Sequence, residues 1–357
     1  MLIRSRAVNK DDRGNIIMDL INKKVVFRAP YSFDIESVPI QRELADNDVL
    51  IRTLYSLISP GTELALYSGS HVGINDPNNT FAKFPFYAGY TSVGEIVAVG
   101  AKVDRFQIGD QVFTTGKHAK YNIVPAASSA IPLLKLPAQV KAEHAPFVKM
   151  AIICMTAVAQ SKIRVGDTAV VIGMGLIGNL AAQLYSIMGA TVIAADVVES
   201  RLQIAKQCGI EHVILSGPDV NLQEQVLELT GGKKADIVVE ATGSPKLVVP
   251  ALDLARQLGQ VIALGSTRGM VDLNVYEYIQ RKGVHLIGAY EALMSLEGFP
   301  SRMTLSRYIF KLIGLGALKI EPLISHILPY EQAEAGYNLL LKEQDKALGV
   351  LLDWQNA

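Results

Sequence analysis

The stretch Thr168-Ala169-Val170-Val171-Ile172-Gly173-Met174-Gly175-Leu176-Ile177-Gly178 constrains the fold of this chain more than any other. Its apolar, β-branched first half fits a strand buried on both faces, as in a parallel sheet. The glycines, spaced as GxGxxG, turn the chain sharply, admit a pyrophosphate to the backbone and let the next helix pack closely. That helix is expected over 176–188, with its first amides aimed at phosphate charge. A second apolar run over 191–195 ends on Asp196, at about the distance from the glycines where dinucleotide-binding units carry an acid. A carboxylate there accepts both ribose hydroxyls of NAD and repels the 2′-phosphate of NADP. The alternative is a packing turn with no ligand, and the strand and acid that follow weigh against it.

Bulk properties narrow the class. A chain of 357 residues has room for two domains, each with its own core. Lys+Arg and Asp+Glu balance at 34 each, which gives no general attraction to nucleic acid or to an anionic membrane. The most apolar windows are expected to break at Gly or a charge before the ~18 residues of a membrane helix. Met1-Leu2-Ile3-Arg4-Ser5-Arg6 lacks a signal-peptide core and runs into Lys10-Asp11-Asp12-Arg13. Cys154 and Cys208 are too few for a disulfide framework or a cysteine metal cluster. A soluble, cytoplasmic protein with a small-molecule substrate is expected, with neither nucleic acid nor membrane as partner.

The chain changes character near residue 155. Before it, short segments over 24–27, 49–56, 94–99 and 111–114 alternate between turn signals and suit a β-rich, barrel-like domain. After it, strands over 169–172, 191–195, 212–215, 237–240, 261–264 and 285–287 are separated by helical segments, among them 199–207, 222–229 and 246–258. Such βα alternation predicts an α/β domain with a doubly wound parallel sheet. Helical stretches over 303–313 and 330–341 and a strand over 347–352 follow. The nucleotide domain is expected over 156–294, inserted into a catalytic domain made of 1–155 and 295–357.

The order of motifs resembles the medium-chain dehydrogenase/reductase family. The resemblance rests on Pro39, Asp48-Val49-Leu50-Ile51-Arg52, Gly94-Glu95-Ile96-Val97-Ala98-Val99-Gly100 and Gly109-Asp110-Gln111-Val112-Phe113. It continues through Leu136-Pro137, Val165-Gly166-Asp167, the glycine fingerprint, Glu240-Ala241-Thr242-Gly243 and Leu264-Gly265. It covers the chain from about Lys23 onward and leaves residues 1–22 without a counterpart. The resemblance implies a GroES-like barrel, a Rossmann domain and hydride transfer to nicotinamide. It assigns cofactor binding to Gly173, Gly175, Leu176, Ile177, Gly178, Asp196, Thr242 and Gly265. Arg201 falls where members place a base near the adenosine, with a surface-helix arginine as the competing reading.

The departures from the family carry the chemical reading. Zinc-dependent members hold the metal with a Cys in a Cys-Gly-Ser/Thr-Asp turn, a His in Gly-His-Glu, and a Glu or Cys on the first long helix. Here Ser59 or Pro60 replaces the Cys, Tyr90 in Gly89-Tyr90-Thr91 replaces the His, and Lys149 falls at the helix position. Zinc needs thiolate, imidazole or carboxylate, so no metal is expected. The cysteine-rich lobe of the structural zinc is also missing after Phe113. In the metal's place, Lys149 offers an ammonium and Tyr90 a phenol whose pKa a nearby cation lowers. Short-chain dehydrogenases use a Tyr and Lys pair in this way, which makes the chemistry plausible by analogy. Thr62 matches the family hydroxyl that relays the alcohol proton, and Glu63 the adjacent acid, which is free to pair with Lys149. The competing readings are structural: Tyr90 as filler, Lys149 as a solvated or buried helix residue, Thr62 as a cap. His118 is read as structural, His71 as a loop residue that nothing fixes, and Cys154 as a poor substitute ligand.

The leading expectation is an NAD-dependent, zinc-independent dehydrogenase that interconverts a secondary alcohol and its ketone. The turn from Ser59 to Glu63 resembles one in the bacteriochlorophyllide hydroxyethyl dehydrogenase subgroup, which hints at a polyol, cyclitol, sugar or larger hydroxylated substrate. A redox-neutral epimerase with tightly bound NAD is an alternative. So are a zinc-free quinone or enoyl reductase, against which Asp196 argues, and a catalytically silent nucleotide-binding protein. A homodimer or homotetramer is expected, with a sheet edge near 285–287 available for pairing.

Overall fold

The computed structural model describes residues 8–10, 16–18, 20–40, 44–128, 131–217 and 219–357. Two compact units emerge. The first comprises the described residues up to Phe147 together with Ile324–Ala357, and the second is Val148–Leu323.

The first unit opens with an antiparallel pair, β1 (Val8–Lys10) and β2 (Ile16–Met18). The rest of residues 1–19 lies outside the described residues. β3 (Leu20–Ala29) and β4 (Ser32–Ile40) then form a long hairpin, of which the sequence pattern revealed only 24–27. β5 (Asp48–Leu57) leads through the turn at Ser59-Pro60-Gly61 into α1 (Thr62–Tyr67). β6 (Phe86–Tyr87) pairs with β3, and β7 (Ser92–Val99), β8 (Gln111–Thr114), β9 (Tyr121–Pro125) and β10 (Leu133–Lys135) follow. Val49, Leu50 and Ile51 on β5 are fully buried, each burial contributing about 1.5–3 kcal/mol.

The second unit carries α2 (Phe147–Gln160), then β11 (Thr168–Ile172), α3 (Leu176–Ile187), β12 (Thr191–Asp196) and α4 (Glu199–Gln207). β13 (His212–Leu215), α5 (Leu222–Leu229), β14 (Ala235–Glu240), α6 (Val248–Leu254), β15 (Ala255–Ala263), β16 (His285–Gly288) and α7 (Arg302–Gly314) complete it. All six strands are parallel, in the order β13-β12-β11-β14-β15-β16. This is the doubly wound order in which nucleotides bind beyond the carboxyl ends of the strands. Ala169, Val170 and Val171 are fully buried, which accounts for the run of small and β-branched residues on β11.

The chain then returns to the first unit with β17 (Ile324–Pro329), α8 (Ala333–Lys342) and β18 (Gly349–Asp353). β18 inserts beside β5 in a seven-stranded sheet of order β10-β8-β7-β5-β18-β17, with β9 also paired to β5.

Three expectations change. The domain crossings lie at Phe147/Val148 and Leu323/Ile324 rather than at 155/156 and 294/295. The reason is that α2 and α7 are tied into the second unit. Cys154 Sγ meets the Ile177 carbonyl at 3.2 Å, and Lys149 and Arg302 both meet Glu291, at 2.5 and 2.9 Å. The helix expected over 246–258 ends at Leu254, because β15 begins at Ala255 and Leu258 adopts φ +59°, a left-handed value that ends any helix. Finally, the helical stretch Ala142–Gln160 is 19 residues long with mean hydropathy 1.3, enough by length and composition to cross a bilayer, where shorter apolar runs were expected. It is 72% buried inside the protein, and that burial accounts for its apolar composition.

Candidate functional site

The glycine turn in the second unit is built for close approach. Gly173 takes φ +94°, and a Cβ there would meet Thr242 Cγ2 at 2.6 Å. A Cβ on Gly178 would lie 1.7 Å from the Gly173 carbonyl oxygen, so only glycine lets α3 start this close to β11. A Cβ on Gly175 would meet nothing within 4 Å. That open space lies at the N-terminus of α3, whose amides beginning at Leu176 and Ile177 have no side-chain cap. Helix amides facing open space are the arrangement that accepts a pyrophosphate, so these residues fit a dinucleotide.

Two further loops border the turn. Glu240 is fully buried at the end of β14 and accepts from the amides of Thr242 at 2.8 Å and Gly243 at 3.1 Å. The Thr242 hydroxyl also donates to Glu240 and accepts from the Ser244 amide, so it organises its own loop. Gly265 passes so close to Gly243 that a Cβ would lie 2.2 Å from the Gly243 nitrogen.

Asp196 closes β12 and is only 6% exposed. Its Oδ2 accepts from the Met174 amide at 2.5 Å and its Oδ1 from the Val198 amide at 2.8 Å. The acid expected to face a ribose therefore also pins the glycine turn, and each oxygen keeps a lone pair for a sugar hydroxyl. Arg201, at the start of α4, folds back so that Nη1 lies 3.7 Å from Asp196 Oδ2.

Lys149 lies on α2 within the second unit, its side chain 11% exposed. Glu291 Oε1 holds the ammonium and also accepts from Arg302 Nε at 2.9 Å. Burial pushes the lysine below its ordinary pKa despite Glu291. The acid facing Lys149 is thus Glu291, which sequence reasoning did not find, since the pair spans 142 residues.

In the first unit, the Tyr90 phenol donates to Ser59 Oγ, and Ser59 is 3% exposed. The Ser59 amide donates to Glu63 Oε1 at 3.2 Å. Glu63 Oε2 lies 3.0 Å from His118 Nε2 and accepts from the Tyr337 hydroxyl at 2.6 Å. Glu63, His118 and Tyr337 are fully buried. Burial pushes the Glu63 carboxyl up, but His118, Tyr337 and the Ser59 amide together hold it below its ordinary pKa. Thr62 opens α1 with Gly61 in the cap position, so it is not the helix cap. His71 accepts from the Gly73 amide through Nδ1 and caps a short helical turn.

One expectation changes at this site: Glu63 pairs with His118 and Tyr337 rather than with Lys149. His118, read as structural, is fully buried between Ser56 and Glu63. Nothing in the local sequence signals it, because its partners come from α1 and from the far end of the chain.

The residues expected at the zinc positions, Ser59, Tyr90 and Lys149, offer a hydroxyl, a phenol and an ammonium, and the Glu63 carboxylate already receives three donors. Among the described residues, no three of His, Cys, Asp and Glu gather as a metal site. Such a donor set does not fit the family's catalytic zinc.

Comparisons with known proteins agree with this architecture. The family described as alcohol dehydrogenase GroES-like domain matches residues 45–133, and that described as zinc-binding dehydrogenase matches residues 177–300. The chain is 27% identical to the sorbitol dehydrogenase of Bacillus subtilis (strain 168) over 282 residues, covering 71% of this chain and 78% of the relative. It is 25% identical to the sorbitol dehydrogenase of Bombyx mori over 366 residues, covering 94% and 99%. The crystal structure of 2R,3R-butanediol dehydrogenase from Bacillus subtilis superposes with a TM-score of 0.79 at 20% identity, covering 93% of this chain and 99% of that one. With a GroES-like unit, a dinucleotide-type sheet inserted in it and relatives along nearly its whole length, the chain belongs to the medium-chain dehydrogenase/reductase superfamily.

Proposed function

We propose that this protein is an NAD-dependent, zinc-independent dehydrogenase that interconverts a secondary alcohol of the polyol class and its ketone. The observation that carries the reading is the Tyr90–Ser59 hydroxyl pair, formed by two residues that the resemblance sets at the metal-ligand positions of zinc-dependent members. The naming of the relatives as sorbitol dehydrogenases supports the substrate class. Asp196 at the end of β12 supports NAD over NADP, since a carboxylate there repels a 2′-phosphate.

When bound, NAD accepts or returns the hydride of the carbinol carbon. The protein's own residues handle the proton and the cofactor. Gly173, Gly175, Gly178 and the first amides of α3 would hold the pyrophosphate, and Asp196 would hold the ribose. In the oxidative direction Tyr90 acts once its own proton has passed to solvent, and its phenolate oxygen takes the hydroxyl proton as the hydride leaves; in the reductive direction the neutral phenol gives the proton back. Thr62 is assigned the accessory hydroxyl. Cys154 and Cys208 are buried free thiols, which suits a reducing, cytoplasmic setting.

The test is NADH formation by chelator-treated protein supplied with NAD and a panel of polyols, cyclitols and sugars. Turnover that survives chelation and falls at least about 100-fold in Tyr90→Phe supports the reading. Activity lost to the chelator and restored by zinc, or retained in Tyr90→Phe, overturns it.

A further inference from the structure

Behind the Tyr90–Ser59 pair runs a buried chain of hydrogen bonds with a fixed direction. It starts at Trp354, on the residue after β18, whose indole Nε1 donates to Ser56 Oγ at 2.8 Å. Indole is a donor only, so Ser56 must accept from it. Ser56 Oγ lies 2.7 Å from His118 Nδ1, and with the indole bond in place its own proton is free to point at that nitrogen. The ring proton of His118 then sits on Nε2 and faces Glu63 Oε2 at 3.0 Å. Tyr337 donates to the same oxygen, and the Ser59 amide donates to the other. Every donor in the chain points toward Glu63, and none of Ser56, His118, Glu63 or Tyr337 is exposed to solvent.

This polarity has a mechanical result. Glu63 lies on α1, four residues beyond Ser59, and its carboxylate grips the Ser59 backbone across the intervening turn. Where the carboxylate sits is decided by His118 and Tyr337. Where Ser59 sits decides whether its hydroxyl can accept from Tyr90. A buried polar network of this kind holds geometry when fully satisfied and releases it when one member is lost.

We propose that His118 is a positioning residue for the Tyr90–Ser59 pair, acting through the Glu63 carboxylate, with Ser56 and Trp354 selecting the ring nitrogen that carries its proton. The inference rests on the reading of Tyr90 as the proton-exchanging group, and it is tested by a readout that needs no turnover. Protein labelled at tyrosine Cζ with an NMR-active carbon reports phenol hydrogen bonding directly, and Tyr90 is assigned by the resonance lost in Tyr90→Phe. His118→Leu removes both ring nitrogens and is expected to shift the Tyr90 resonance. His118→Gln, which keeps an N–H toward Glu63, is expected to return it toward the wild-type position. Ser56→Ala, the gentler change, is expected to give a smaller shift in the same direction as His118→Leu, and it decides the matter if the leucine variant does not fold.

A Tyr90 resonance that stays in place in a folded His118→Leu or in Ser56→Ala overturns the proposal, as does a glutamine variant no closer to wild type than leucine. For any alcohol that the wild type oxidises, His118→Leu is also expected to lower kcat about tenfold with the KM for NAD unchanged. Full activity in Tyr90→Phe would defeat the functional reading while leaving the positioning result standing, so the two failures are separable.

Discussion

His118 Nε2 lies 3.0 Å from Glu63 Oε2, with neither side chain exposed to solvent. Burying a carboxylate this deep costs desolvation that its donors offset, and removing the carboxylate strands those donors. Glu63→Leu is expected to keep Tyr337 and His118 buried without their acceptor and to lower stability by about 3–5 kcal/mol. Urea unfolding measures this. A loss under about 1 kcal/mol would show the network to be replaceable.

Stability should also fall on the acid side. Glu63 is pushed up by burial but held lower overall by His118, Tyr337 and the Ser59 amide. Glu291 is likewise pushed up by burial and held lower by Lys149 and Arg302. A carboxyl lowered in the folded state binds fewer protons than in the unfolded one. Its stabilisation is therefore complete above the unfolded value, about 4.3, and is lost as pH falls through the folded value. Urea midpoints taken from about pH 7 down to about pH 3 should drop below about pH 4, and Glu291→Gln should flatten that drop.

The glycines separate folding from cofactor binding. Gly178→Ala drives a Cβ into the Gly173 carbonyl oxygen and is expected to lower the melting temperature by several degrees at least. Gly175→Ala meets no protein atom within 4 Å, at a φ of −61° that alanine adopts freely. It should melt like the wild type yet bind NADH at least about tenfold more weakly, as followed by fluorescence titration. Equal NADH affinity in Gly175→Ala would place the pyrophosphate elsewhere.

Asp196 sets a fourth expectation. Asp196→Asn keeps an acceptor for the Met174 amide but turns its NH2 toward the Val198 amide, so some stability is lost along with the charge. The ratio of NAD to NADP affinity should fall by about tenfold or more. An unchanged ratio would show that Asp196 serves only the turn.

What was legible in the sequence was local. The strand, turn and helix from Thr168 to Gly178 declare themselves because their chemistry lies within a few consecutive residues, as does the register of strands with helices between them. The candidate site resisted for the opposite reason. Tyr337 reaches Glu63 across 274 residues and Trp354 reaches Ser56 across 298, and no periodicity encodes such meetings. His118 read as a packing residue because its neighbours Ala119 and Tyr121 follow a strand pattern, while its two ring nitrogens are spoken for by β5 and α1. Lys149 drew attention by its apolar surroundings, yet its acid, Glu291, lies beyond the whole parallel sheet in sequence. β17 escaped notice because Ser325 and His326 interrupt its apolar run and its partner β18 comes later in the chain.

The placement of β18 beside β5 has a consequence for how the chain is made. A ribosome emits β5, α1 and His118 first, then the entire parallel sheet, and only after it the strand and the indole that close the first unit. The inserted unit is contiguous, Val148–Leu323, and is complete before β18 is made. Tyr90 and Ser59 therefore wait, in an unfinished shell, until Trp354 leaves the exit tunnel. A nascent chain stalled before Trp354 would carry a finished second unit beside a first unit still lacking its indole.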